Sequence, residues 1–308
     1  MRHVWIINPH AGKRDQTARM YAMADALRRR HGLECQCLLT DRPGGAGEMA
    51  RRLAESGGAV RIYACGGDGT IHEVAGGIAG FDNAAMTSIP AGTGNDFLKN
   101  FGPDAEKFSD AENLWDGPEF PLDLIECNGR YCLTIACNGI DAQVADSVHR
   151  ITDASPLRGR GSYLASVAVN FLFRDLGHRW TVWLDGRAVE GEFALVSMCN
   201  GRYYGGGSMP VPEARMDDGV LHTILVRKVG RVAFAKLFAA YSAGESWKFP
   251  QIARVVTARE VRIRSHGEEI VTCLDGECFR SGEVTMRLAE KRVRFFGPRG
   301  CSPNATAR

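Results

Sequence analysis

Charge of one sign is in short supply in this 308-residue sequence: 38 Lys and Arg face 36 Asp and Glu, a net +2. That balance argues against a bulk nucleic-acid binder, which needs a strongly basic surface. Long hydrophobic runs are missing too. The greasiest segment, Tyr163 to Phe173, is broken by Ser166 and Asn170 and falls far short of a membrane span. The opening stretch MRHVWIINPHAG has too short an apolar run for a secretory leader and no cleavage pattern, so a cytoplasmic location is expected. None of the ten cysteines forms a Cys-x2-Cys pair, and no His cluster accompanies them. This argues against zinc and for reduced, mostly buried thiols that behave as small hydrophobes. Internal repeats are absent, and only the tail SPNATAR reads as disordered.

What the chain does have is alternation. HVWIIN (3–8), ECQCLLT (34–40), AVRIYAC (59–65) and AMTSIP (85–90) read as buried strands. Helical patterns lie between them at 14–30, 46–56 and 70–79, the first ending in Arg28, Arg29 and Arg30, where a helix dipole favours positive charge. Continuous apolar strands alternating with helices predict a parallel sheet covered on both faces.

The texture changes near residue 122. DLIECNGRYCLTIACNG, WTVWLDGRAVEGEFALVSMCNG, IVTCLDGECF and VTMRLAEKRVRFFG read as successive strands, the first three around Asn-Gly or Asp-Gly turns, the strongest short hairpin signal. An antiparallel sandwich or barrel is expected, interrupted by helices at 162–176 and 231–243. The first carries Leu164, Ala168, Phe171 and Leu172 on one face, the second Phe234, Leu237, Phe238 and Tyr241. Both stripes read first as core packing, with the border of an apolar pocket as the sharper alternative.

Three glycine-rich segments follow strands of the first half: NPHAGKR (8–14), GGDGTIHE (66–73) and PAGTGNDF (90–97). Ligands of open α/β sheets bind beyond the carboxyl ends of the strands. Gly66, Gly67 and Gly69 let backbone approach a ligand, and the following helix offers free N–H groups and a positive dipole end. A phosphate suits that place. Asp68 would repel it unless a cation stood between them, which Mg²⁺ on a nucleotide supplies. Thr70 is suited to bond a phosphate oxygen or to cap the helix. Any one such loop reads most simply as a tight turn; three at one sheet edge predict a nucleotide cradle. The familiar labels do not fit. G-x4-G-K-[ST] is absent, the dinucleotide fingerprint starting at Gly67 meets His72 at its third glycine, and the protein-kinase set is missing.

NPHAG (8–12), GGDGTIHEV (66–74) and PAGTGNDF (90–97) resemble the bacterial diacylglycerol kinase family, whose catalytic domain also occurs in sphingosine and ceramide kinases. The resemblance runs on through CNGIDAQV (137–144), RGSYL (160–164), NGRYYGGGSMPVPEARMDDGVL (200–221) and LDGE (274–277), and so covers nearly the whole chain in order. It implies an α/β N-terminal domain with a parallel sheet, like NAD kinase and phosphofructokinase, over 1–122, and an all-β antiparallel sandwich over 123–308 whose last residues return to the first domain. ATP is implied in the cleft between them, contacting Asn8, Pro9, His10, Ala11 and Gly12, Thr40, Gly66 through His72 (Gly66, Gly67, Asp68, Gly69, Thr70, Ile71, His72), and Thr93, with Asn95 and Asp96 beside it. The implied general base is the acid after glycine in the DGE turn, Glu277. Asp68 and Asp275 are the further catalytic candidates, and the Asp-Gly turn preference is the plain explanation of Asp275. A second Mg²⁺, apart from the one travelling with ATP, is implied at Asp218 with the backbone carbonyls of Arg215 and Val220. Two departures stand out: His72 where Asn is common, and Ala11 where Ser is common.

The expected activity is ATP-dependent phosphorylation of a lipid hydroxyl, foremost diacylglycerol. A sphingoid base, an undecaprenol-like alcohol and phosphatidylglycerol stay open as acceptors. The rivals are a soluble acceptor such as NAD, whose downstream motifs are not found, and a non-catalytic regulator, disfavoured by the presence of Asp68, Asn95, Asp96 and Glu277. The expected partner is a lipid at the membrane surface, met transiently and peripherally, with a homodimer allowed. Arg28–Arg30 and the segment 148–161, with Arg150, Arg158 and Arg160, are the candidate docking residues.

Overall fold

The computed structural model describes residues 1–154 and 177–303. The helix expected at 162–176, the RGSYL stretch, the basic side chains of 148–161 and the end of the tail lie outside the described residues. The chain divides into two compact units, one of Met1–Leu124 plus the stretch from Glu290, the other of Ile125–Ala289.

In the first unit, β1 (Arg2–Ile7), β2 (Cys35–Leu39), β3 (Val60–Gly66) and β4 (Ala84–Pro90) pair in parallel in the order β2-β1-β3-β4. Helices α1 (Thr17–His31), α2 (Gly45–Glu55) and α3 (Asp68–Ile78) connect them. Every residue of β3 is buried, as a strand covered on both faces requires. Trp5 of β1 sits opposite Tyr63 of β3, and their rings stack at 4.6 Å. α1 starts at Thr17 rather than residue 14. There Asp15 accepts the Thr17 N–H at 2.8 Å, a local bond that competes with extending the helix backwards.

VTMRLAEKRVRFFG supplies one strand to each unit. Its first half is a strand of the second unit. Its last strand pairs parallel to β4 and antiparallel to β5 (Glu119–Leu122) in the first. Burial explains this: Val293, Phe295 and Phe296 all lose their whole surface. Phe295 meets Phe97, Phe101, Phe108 and Phe120 on one face, at ring separations of 5.2 to 6.0 Å, and Phe296 meets Tyr63 on the other. An exposed hairpin would leave those rings in water.

The second unit contains, among the described residues, one eleven-stranded antiparallel sheet. It begins with β6 (Ile125–Cys127), β7 (Arg130–Cys132) and β8 (Ile135–Gly139), then α5 (Ile140–Ala154), after the four-residue α4 (Asp96–Lys99) of the first unit. After β9 (His178–Leu184) comes the long β10 (Arg187–Cys199), which pairs β9 along its first half and β8 along its second, with a bulge between Phe193 and Leu195. The bulge turns the sheet over. Val182 and Ile263 thereby share one core with Val196, Leu274 and Met286, the packing of a sandwich. The strands β11 (His222–Arg227), β12 (Ala253–Thr257), β13 (Glu260–Ser265), β14 (Ile270–Leu274), β15 (Glu277–Ser281) and β16 (Glu283–Leu288) complete it. Asn128, Asp185 and Asp275 hold left-handed backbone, φ 47° to 49°, at the three hairpin turns expected from Asn-Gly and Asp-Gly. On the other face of the sheet, α5 and α6 (Arg231–Ser242) bury Val144, Phe234, Leu237 and Tyr241. The cysteines are all free, seven of them buried.

His3 is buried in β1, its Nδ1 3.0 Å from the Tyr63 hydroxyl, and burial, aided by the Arg61 charge, lowers its pKa from 6.5 to about 4. The folded chain thus refuses a proton that the unfolded chain accepts. The resulting stabilisation is complete above pH 6.5 and is lost as the pH falls toward 4. Tm measured across that window should drop, and His3→Gln should flatten the drop; an unchanged slope in the variant would remove His3 as its source.

Candidate functional site

Parallel order puts four connections on one edge of the first sheet. Thr40, Asn8, Gly67 and Ala91 begin them, at the carboxyl ends of β2, β1, β3 and β4. The three glycine-rich loops touch one another there. A Cβ on Gly12 would lie 2.2 Å from the carbonyl oxygen of Ala91, and one on Gly92 2.5 Å from the Cα of Gly67. One on Gly94 would lie 3.1 Å from Oδ2 of Asp68. The first two positions admit no side chain, because the obstacle is backbone.

Polar groups then fix each loop. The Asn8 Oδ1 accepts the His10 N–H at 3.0 Å, and its Nδ2 donates to Oγ1 of Thr70 at 3.4 Å. Thr70 is buried and packed against Gly66, where a Cβ would come within 2.1 Å of its Oγ1. It therefore pins two loops together from below. The Asp68 Oδ1 accepts the Phe97 N–H at 3.0 Å, tying the 66–69 turn to the start of α4. Asn95 takes left-handed backbone and donates from Nδ2 to the Gly92 carbonyl at 3.0 Å. Its Oδ1 is buried and makes no hydrogen bond among the described residues. Asp96 is buried and pairs with Lys99. Ile71 faces the core, while Gly12 and Thr93 are exposed at the edge. The arrangement offers flexible backbone, the first turn of α3, one carboxylate and one unfilled acceptor. That set fits a polyphosphate accompanied by a hard cation.

Two residues the sequence reading passed over complete this unit. Glu73 accepts the N–H groups of Gly44 and Ala46 at 2.8 and 3.0 Å, capping α2. A Glu mid-helix signals nothing by itself; only the α2–α3 contact makes it a cap. Arg61, almost wholly buried, holds Glu119 and the carbonyls of Trp115 and Gly117.

In the second unit, Asp275 and Glu277 occupy the β14–β15 turn. The Asp275 carboxylate accepts three backbone N–H groups, from Leu133 at 2.7 Å, Thr134 at 2.9 Å and Ile135 at 3.1 Å. Glu277 is exposed, two residues on. Behind the turn, Thr272 donates to Asn138 Oδ1 at 2.7 Å, and Asn138 donates to the Val196 carbonyl at 3.0 Å. Asp218 is exposed, and its Oδ1 accepts the Val220 N–H at 3.0 Å. Arg215 lies on the same turn, its side chain 3.8 Å from Asp217. Among the described residues no three His, Cys, Asp or Glu side chains converge on a metal, so a cation on this turn would have one carboxylate and backbone carbonyls, all oxygen donors. A polar cluster not foreseen from the sequence lies at the start of α5: Oδ2 of Asp141 accepts from the hydroxyls of Tyr204 at 2.7 Å and Tyr241 at 2.8 Å, and burial raises its pKa. The quoted motifs CNGIDAQV and NGRYYGGGS held two of its three members without showing that they meet.

Comparison with known proteins bears on both units. Residues 2–127 match the diacylglycerol kinase catalytic domain, and 134–297 match the YegS C-terminal NAD kinase beta sandwich-like domain. A Pseudomonas aeruginosa protein named "Probable lipid kinase YegS-like" is 34% identical over 184 residues, 56% of this chain and 57% of that protein. The match thus spans little more than half that relative's length. A Staphylococcus carnosus diacylglycerol kinase is 27% identical over 273 residues, 88% of this chain and 87% of the relative. Among solved structures, a diacylglycerol kinase from Bacillus anthracis str. Sterne superposes with TM-score 0.70 at 21% identity, covering 96% of each chain. An NAD kinase from Archaeoglobus fulgidus in complex with ATP reaches 0.51 at 14% identity, covering 96% of this chain and 94% of its own. These two likenesses are likenesses of fold. Among the described residues no helix is long and apolar enough to cross a membrane.

Replacing Asp275 by Ala leaves three backbone donors without their acceptor, at a cost of about 2–4 kcal/mol. Denaturant titration should show that loss, and Asp275→Asn should fall between it and the parent; an unaltered midpoint would show that the clamp does not hold the turn.

Proposed function

We propose, from the premise that this chain belongs to the lipid kinase family built on a diacylglycerol kinase catalytic domain and a YegS-type C-terminal domain, that it transfers the γ-phosphoryl group of ATP to the free hydroxyl of diacylglycerol. The observation that carries this reading is the backbone contact of the 8–12, 66–69 and 90–97 loops at one strand-end edge. Phosphoryl transfer calls for alignment and charge neutralisation more than covalent help, and flexible backbone beside a helix N-terminus supplies both. Mg²⁺ bound with the nucleotide would neutralise the phosphate charge.

Each residue then has a stated task. Backbone N–H groups of Gly12 and of Gly67–Gly69 hold phosphate oxygens, with Thr93 at the rim; those of Asn8, His10 and Ala11 are already donated within the loop and to Cys65, and shape it. Asp68, whose Oδ1 accepts the Phe97 N–H, would contribute its carboxylate charge to the cation that accompanies the nucleotide. Asn95 offers its unfilled Oδ1 to a water or hydroxyl of the nucleotide complex. Glu277 accepts the proton of the acceptor hydroxyl as the new O–P bond forms and the bond to the β-phosphate breaks, releasing ADP. Asp275 is assigned a positioning role, because three N–H groups already occupy its carboxylate. Asp218, with the Arg215 and Val220 carbonyls, would hold a second Mg²⁺ that stiffens its turn. The setting that suits the task is a cytoplasmic protein meeting its acceptor at a membrane surface.

Incubation with labelled ATP and a total lipid extract should yield phosphatidic acid as the labelled product. A different labelled lipid would replace the acceptor, and label on NAD in a parallel reaction would replace the substrate class. Glu277→Gln should lower kcat by about 10²–10⁴-fold with nucleotide binding retained. Turnover close to the parent's would remove Glu277 from the mechanism.

A further inference from the structure

The Glu73 side chain leaves its own helix. Its two carboxylate oxygens accept the N–H groups of Gly44 and Ala46, one each, at 2.8 and 3.0 Å. Those two residues flank Gly45, which is buried. A Cβ on Gly45 would lie 3.4 Å from Oδ1 of Asp41 and 3.9 Å from the Cβ of Thr40. Gly45 is thus the floor on which Thr40 and Asp41 rest, and Glu73 fixes that floor from both sides.

The loop after β2 could not do this for itself. Gly44 is the N-cap of α2, has left-handed backbone at φ 82°, and carries no side chain to accept the free N–H groups. The cap comes from α3 instead, and the two helices lie backbone to backbone so that it can reach. A Cβ on Gly47 would stand 2.9 Å from the carbonyl oxygen of Glu73, and one on Gly77 2.4 Å from that of Gly47. A carboxylate is also the charge that the N-terminal end of α2 favours. Arg42 and Glu48 tie the same loop to α2, but that pair is exposed and holds it weakly.

α3 therefore serves two places at once. Its first turn, from Asp68, stands in the glycine-rich cradle, and its next turn carries Glu73. β2 and β3 flank β1, which sets their carboxyl ends about 10 Å apart. A ligand whose phosphates lie at Gly67–Gly69 would not bring them to Thr40, but the nucleoside of the same molecule spans that gap.

We infer that Glu73 is a positioning residue for the nucleotide. It holds the loop of residues 40–45 where that loop receives the nucleoside of ATP, in fixed relation to the phosphates at the head of α3. This rests on the nucleotide reading given above.

The test is calorimetric binding of Mg²⁺–ATP and of inorganic tripolyphosphate, with ATP kinetics, for the full-length parent, Glu73→Ala and Glu73→Gln. Losing a helix cap costs about tenfold in an equilibrium constant, so Glu73→Ala should raise Kd and KM for ATP about tenfold with kcat kept. Tripolyphosphate has no nucleoside and should bind parent and variant alike. Glu73→Gln keeps one acceptor oxygen and should fall between them for ATP; it also carries the comparison if the Ala variant does not fold. Variants that bind ATP like the parent would overturn the proposal. So would equal losses for ATP and tripolyphosphate, which would make Glu73 a support of the fold alone. A parent that binds neither ligand would remove the nucleotide reading itself, whereas unaltered variants of a parent that binds both would remove only Glu73.

Discussion

A Cβ at residue 92 would stand 2.5 Å from the Cα of Gly67, inside the distance that real side-chain carbons keep. Everything at the strand-end edge of the first unit follows from that approach. With glycine at both positions the loop after β4 rests on the loop after β3. Asp68 then reaches the Phe97 N–H, and Asn95 closes on the Gly92 carbonyl. The loop after β1 joins through the same economy of atoms, Gly12 against Ala91. Any larger residue at these points would force the loops apart and leave the polar groups of Asp68 and Asn95 aimed at water. The constraint is steric before it is chemical: backbone must lie on backbone for the three loops to meet at one edge.

The second unit solves its positioning problem with hydrogen bonds instead. A two-residue turn at the end of a hairpin is ordinarily mobile, and Glu277 sits directly after one. Asp275 removes that mobility by taking three N–H groups from the chain leading into β8. Asn138 and Thr272 extend the bond network one step deeper, between β8, β14 and β10. The exposed acid thus stands on a turn anchored to the sheet's centre. A neutral side chain at 275 could fill the same turn conformation, as Asn128 does at its own hairpin, but could not receive three donors at once.

How much of this was legible in the sequence varied with the range of the interaction. The alternation of strand and helix, the three Asn-Gly or Asp-Gly turns and the glycine loops are local signals, and the structure carries each where it was read. The pairing of the last strand was not legible, because Val293 to Phe296 looks like any apolar run; its partners are the rings of Phe97, Phe101 and Tyr63, about two hundred residues away in sequence. α5 was missed for a related reason: it begins straight after β8, and the Asn138-Gly139 pair before it reads as a turn between strands. The roles of Glu73, Asp141 and Asp275 were hidden because a carboxylate's partner is set by tertiary packing. Thr70, a residue typical of phosphate loops, has its hydroxyl buried against Gly66, where it accepts from the Asn8 side chain.

The same distinction separates a basic sequence from a basic surface. Counting Arg28, Arg29 and Arg30 suggests an electrostatic patch, yet two of the three have acidic partners within 2.8 Å. The outer face of α6 carries Lys236 among alanines, with Arg231 at the start of the helix. Its exposure is not the slack of a loosely held helix. Tyr241 is buried and donates to Asp141 at the head of α5, Tyr204 reaches the same carboxylate, and Phe234 and Leu237 lie in the core beneath the sheet. A helix fixed so firmly by its inner face presents its outer face in one orientation. The apolar exposure of Val232 and Trp247 is therefore a property of the folded unit.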